Sequence, residues 1–110
     1  MKSKKVQKPW GYEVWFAQTD KYVGKLLVIK KGKRLSYQYH EQKDETLWVL
    51  SGLGKIIVDD KVTTLKAGRA IHIPPNTKHR IEATEEDLEI IEVSTPEVDD
   101  VVRLADDYGR

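Results

Sequence analysis

The chain contains no cysteine among its 110 residues. That excludes disulfide staples, thiolate zinc sites and a thiol nucleophile, and leaves the redox compartment undecided. It also lacks net charge of either sign: 19 lysines and arginines against 18 aspartates and glutamates leave +1. Such balance gives no electrostatic basis for holding nucleic acid or an anionic membrane. No apolar run approaches the ~20 residues that a transmembrane helix needs. The basic start, MKSKKVQKPWG, has no apolar segment behind it to make a secretory signal. A cytoplasmic protein without a membrane or nucleic-acid partner is the expectation. Helical periodicity is nearly missing before residue 97, and no repeat or low-complexity tract is visible.

What is present is a series of short β-rich runs divided by turn residues. They cover residues 12–16, 22–29, 35–40, 46–50, 55–58, 62–65, 70–73, 79–82 and 88–93. Asp59-Asp60 reads as the turn of a hairpin, and Pro74-Pro75-Asn76 as a hard stop, because proline donates nothing to a ladder. Strands this short and this closely spaced predict an all-β sandwich or small barrel. At 12.7 kDa, area scaling gives about 6,200 Å² exposed when folded against about 18,400 Å² unfolded. That burial suffices for one core, so a single domain over residues 1–110 is expected. The tail from residue 97 reads as a short helix or an ordered arm.

Four side chains suggest a metal site. Gln38 and His40 lie two apart on one expected strand and so share a face. Glu45 follows closely, and His79 opens a later strand. Two imidazole nitrogens and two oxygens suit zinc, manganese, cobalt, nickel or iron(II). Taken singly, each histidine also fits a surface or satisfied core position.

The spacing sharpens this. Gly32-x5-Gln38-x-His40-x4-Glu45-x6-Gly52 and Gly68-x5-Pro74-x-Asn76-x2-His79 resemble the two cupin motifs, with Gln38 at a histidine position and Asn76 at a glycine position. Asparagine tolerates the left-handed backbone better than most residues. The resemblance implies a single-domain cupin, a double-stranded β-helix or jelly-roll barrel, with a short C-terminal tail.

Pro9-Trp10-Gly11-Tyr12-Glu13, the strand from Gly32 to His40 (GKRLSYQYH), Thr77-Lys78-His79-Arg80 and the closing DDYGR are similar to type II mannose-6-phosphate isomerases. That resemblance implies a stand-alone isomerase interconverting mannose 6-phosphate and fructose 6-phosphate through a cis-enediol. Gln38, His40, Glu45 and His79 would hold a divalent metal. Arg34, four before Gln38 and so on the ligand face by strict alternation, and Arg80 would anchor the phosphate, with Lys33, Lys43, Arg103 and Arg110 as further cations. Lys43, with a depressed pKa, or Glu92 would act as base. Other readings are a metal cupin of different chemistry, such as another sugar isomerase or a dioxygenase, and a non-catalytic sugar-binding module. Trp10, Trp15 and Trp48 read as core or interface aromatics. With the Tyr37-x-Tyr39 face, they lead to the expectation of a homodimer binding a sugar phosphate.

Overall fold

The computed structural model describes residues 2–109, so the Arg110 candidate lies outside the described residues. The described chain is all β, with no helix. Eleven strands run in chain order: β1 (Lys4–Lys8), β2 (Gly11–Gln18), β3 (Val23–Ile29), β4 (Tyr37–Tyr39), β5 (Glu45–Ser51), β6 (Leu53–Val58), β7 (Lys61–Lys66), β8 (Ala70–Ile73), β9 (His79–Ala83), β10 (Leu88–Ser94) and β11 (Val102–Ala105). They form two antiparallel sheets, ordered β1-β2-β3-β10-β5-β8 and β11-β4-β9-β6-β7. The sheets face each other as the jelly-roll barrel that the cupin resemblance implies. The folded surface is 6152 Å², as scaling with mass requires. No described helix is long and apolar enough to cross a membrane.

Local chemistry sets the corners. Asp59 and Asp60 both take positive φ, 47° and 68°, the combination a two-residue hairpin needs to match strand twist. Asn76 has φ of 61°, so it does adopt the left-handed backbone at the glycine position of the motif. The tail is not a helix but an ordered arm, which lays β11 against β4. Strand β1 was not legible, because its alternating lysines look like a solvated terminus rather than an edge strand.

The barrel interior is divided by register. Ile29 opposes Leu88, and Leu27, Ile90 and Val49 lie in one row across β3, β10 and β5. These join Ile56, Leu65 and Ile81 in a buried apolar core at one end. One step further along the same strands, the inward row is Trp15, Lys25, Glu92 and Leu47. The next row is Val23, Ser94, Glu45 and Ile73. Because side chains alternate faces with a period of two, these registers aim two glutamates and a lysine into the other end of the barrel. That end holds the site.

Candidate metal centre

His40, Glu45 and His79 are brought together at the polar end. Each offers one ligand atom, and these atoms lie within 4.8 Å of one another. Their positions follow from the strands. Glu45 opens β5 and His79 opens β9, both inward, while His40 sits just beyond the end of β4. The two rings are 5.4 Å apart between centroids.

Both histidines are fixed in the same tautomer. His40 Nδ1–H donates to the carbonyl of Asp100 at 2.5 Å, and His79 Nδ1–H donates to the carbonyl of Thr77 at 2.9 Å. A carbonyl only accepts, so in the neutral rings Nδ1 carries the proton and Nε2 keeps a lone pair. Burial pushes His79 below its ordinary pKa, outweighing the pull of Glu45, and so favours that neutral ring. Both Nε2 atoms are buried with no hydrogen-bond partner among the described residues. A buried polar atom left unsatisfied is costly. Two aimed at one carboxylate fit a divalent ion, whose His ligands customarily donate the other ring nitrogen to a backbone oxygen. Gln38 lines the same pocket, and its Oε1 accepts from the Ser36 hydroxyl at 2.8 Å.

The expected base does not have the required character. Lys43 Nζ is buried 2.9 Å from both Glu45 Oε2 and Glu92 Oε2. Burial alone would lower its pKa, but the attraction of Glu92 and Glu45 outweighs it and the net shift is upward. Lys43 therefore stays an ammonium, not the depressed lysine that base catalysis needs. Burial likewise opposes ionised Glu92, but Lys43 and Lys25 prevail and hold its carboxyl below the ordinary range. Glu92 is thus a paired carboxylate.

The expected phosphate anchors lie away from the pocket. Arg34 bridges Glu82 while Gln38 pairs with His79, four residues against three, so the alternation slips between them. Its guanidinium pairs with Asp107 at 2.6 Å on the outside of the barrel. Arg80 follows the inward His79 and points outward, donating to the carbonyls of Leu35 and Ala105. Neither arginine lines the pocket, and nor does Lys33. Lys8, Lys25 and Arg103 line it instead, with Trp10 and Trp15. Arg103 is in register with Gln38, which is in register with His79, so one row carries all three. Lys25 lies 4.0 Å over the Trp15 ring and 3.7 Å from Glu13 Oε1. Sequence reading missed Lys25, although a lone lysine inside the apolar run YVGKLLVI was a usable signal. It also missed Asp100, for which the sequence carries no signal across 60 residues.

The family described as Mannose-6-phosphate isomerase C-terminal matches residues 1–106. The chain belongs to that family. Its relatives include the mannose-1-phosphate guanylyltransferase of Escherichia coli K12, 36% identical over 97% of this chain and 23% of the relative. The alginate biosynthesis protein AlgA of Pseudomonas aeruginosa is 35% identical over 96% of this chain and 23% of its own. The chain spans about a quarter of the length of these relatives. Among solved structures, KdgF from Halomonas superposes with a TM-score of 0.79 at 22% identity, covering 90% of this chain and 89% of that one. Oxalate decarboxylase from Bacillus subtilis superposes at 0.82 with 16% identity, over 93% of this chain and 30% of that one. The fold is a cupin. These comparisons correct the expected activity. Relatives matching nearly the whole chain are named for guanylyl transfer, an enzymatic activity but not the isomerisation, and a stand-alone isomerase is not supported. The family member's site nevertheless keeps its His/Glu/His cluster.

If the cluster holds an ion, wild-type protein dialysed against zinc should retain about one equivalent by elemental analysis. His40→Ala and His79→Ala should each weaken retention by more than the ~10–100-fold typical of outer-shell changes. Equal zinc in wild type and both variants would contradict the assignment.

Proposed function

We propose that this chain is a divalent-metal cupin module that binds an anionic sugar ligand of the sugar-phosphate class. The observation that carries this reading is the pair of buried, unpartnered Nε2 atoms converging on Glu45. His40, Glu45 and His79 would hold zinc, manganese, cobalt, nickel or iron(II), with Gln38 as a fourth, oxygen ligand oriented by Ser36. When bound, such an ion supplies a Lewis-acidic centre for hydroxyl or carbonyl oxygens.

The charges lining the pocket support an anionic ligand. Lys8, Lys25, Lys43 and Arg103 oppose Glu13, Glu45, Glu92 and Asp99. With neutral histidines the lining sums to zero, so a divalent ion leaves it two charges positive. Lys43 and Glu92 are committed to each other, whereas Lys8 and Arg103 have no carboxylate within 4.0 Å among the described residues. Arginine's fork suits a phosphate. The locking of Lys43 to two carboxylates supports binding over proton transfer.

Calorimetry with zinc-loaded protein would test this against mannose 1-phosphate, mannose 6-phosphate and free mannose. The reading predicts binding of a phosphorylated sugar, loss of that binding after chelation, and about tenfold weakening in Arg103→Ala, as expected for one charged hydrogen bond. Equal affinity for free mannose, or no sugar binding by loaded protein, would overturn it.

The outer face of the larger sheet supports self-association. Val14, Leu26, Ile91, Trp48 and Ala70 lie in one row across β2, β3, β10, β5 and β8. Phe16, Leu50 and Val93 add exposed apolar surface to that sheet. The five strands that carry the row have four to eight residues each and span roughly 19 by 22 Å, about 420 Å² before side-chain relief, against ~800 Å² per partner in a standard interface. A second copy would cover this apolar row, which Lys5 of β1 borders beside Val14. Sedimentation at micromolar concentration should give twice the 12.7 kDa chain mass, and Trp48→Glu should give the monomer. A monomeric wild type would contradict the homodimer.

A further inference from the structure

The loop from His40 to Asp44 carries the site: it supplies His40 and Lys43 and leads directly into Glu45. It lies beyond the short strand β4, where the Asn76 N–H donates to the His40 carbonyl at 2.6 Å, His72 Nε2 lies 2.9 Å from Asp44 Oδ1 and Lys43 pairs with Glu92 of β10. Its anchorage comes chiefly from the segment after β10. Asp100 contacts it through both its backbone and its side chain. The Asp100 carbonyl accepts from His40 Nδ1 at 2.5 Å. The carboxylate accepts from the backbone N–H of Glu41 at 3.0 Å, Gln42 at 2.6 Å and Lys43 at 2.9 Å. Thr95 adds two further bonds to Asp44, one through its hydroxyl and one through its N–H. The segment then enters β11, whose Arg103 stands beside Gln38. Its far end is fixed separately, with Asp107 on Arg34 and the Tyr108 hydroxyl on the Arg34 carbonyl.

We propose that Asp100 is the positioning residue of the metal centre, and that docking of the segment from Asp100 to Ala105 and metal occupancy stabilise each other. This rests on the reading of His40, Glu45 and His79 as metal ligands. One residue performs two linked tasks. Its carboxylate gathers three successive amides and fixes the loop. That fixed loop places His40 against the Asp100 carbonyl, which sets the tautomer that leaves Nε2 bare. An ion that orders His40 therefore orders its partner Asp100, and thermodynamic reciprocity requires the converse. Because β11 starts two residues later, the coupling extends to the strand that carries Arg103 into the pocket.

The test uses the full chain and cobalt(II) alone. Cobalt affinity and the visible ligand-field spectrum would be measured for wild type, Asp100→Ala, Asp100→Asn and Asp107→Ala, together with amide hydrogen exchange over residues 101–105 with and without cobalt. The proposal expects Asp100→Ala to lose ~10–100-fold in affinity, the range for removing an outer-shell partner, with an altered spectrum. Asp100→Asn, which keeps one accepting oxygen, should fall between Asp100→Ala and wild type. Asp107→Ala loosens only the far end and should stay within about twofold of wild type. Cobalt should slow exchange at residues 101–105 in wild type and much less in Asp100→Ala. Unchanged affinity and spectrum in Asp100→Ala, provided its β content matches wild type, would overturn the proposal. So would an equal loss in Asp107→Ala, which would make the segment a general brace. A wild type that binds no cobalt would sink the metal reading itself, and this inference with it.

Discussion

An ammonium shared by two carboxylates is the interaction on which the polar end of this barrel depends. Glu45 and Glu92 point inward from adjacent strands, and without a cation between them their charges would repel in a poorly solvated interior. Lys43 sits 2.9 Å from each. Removing one member of such a buried set typically costs about 3–5 kcal/mol, because the others are left uncompensated. The same ion pair settles chemistry as well as stability. It commits Glu45 Oε2 and leaves Oε1 on the side of His79, 3.5 Å from its Nε2. A well-packed apolar substitute would be the cheaper way to fill this space, so the persistence of five buried charges, Glu13, Lys25, Lys43, Glu45 and Glu92, points to a site rather than to a scaffold.

The barrel separates its two tasks along its length. At one end, rows of Leu, Ile and Val from both sheets make a dry core of ordinary kind. At the other, the same strands present glutamate, lysine and histidine inward while their outer faces carry Leu26, Ile91 and Trp48. The usual arrangement of a half-solvated sheet, apolar within and polar without, is thus inverted over the upper rows. The charged interior is what a ligand site requires, and the apolar exterior is what a covering surface requires. Both follow from one register, because a shift of a single residue would exchange the two faces.

The all-β fold, most strand positions and the convergence of His40, Glu45 and His79 were legible because each rests on local pattern: alternation, turn residues, and motif spacing. Asn76 illustrates this, since its left-handed backbone was implied by its place in the motif. What was not legible depended on contacts between distant residues. Arg34 was assigned to the ligand face by counting back from Gln38, but the pairing slips between the two and alternation fails there. Lys43 was placed at the site correctly, yet its charge state is set by Glu92, 49 residues away, whose inward aim depends on sheet register. Asp100 left no local trace at all. The activity implied by family resemblance failed for another reason: a shared barrel and a shared ligand set do not carry a reaction with them.

The account stands or falls on two imidazoles binding one ion. X-ray absorption at the zinc edge of the loaded full chain tests it most directly. The account predicts a first shell of nitrogen and oxygen at about 2.0–2.1 Å, with outer scattering from two imidazole rings, reduced to one ring in His79→Ala. A shell of oxygen alone, or an imidazole signal unchanged in that variant, would contradict it.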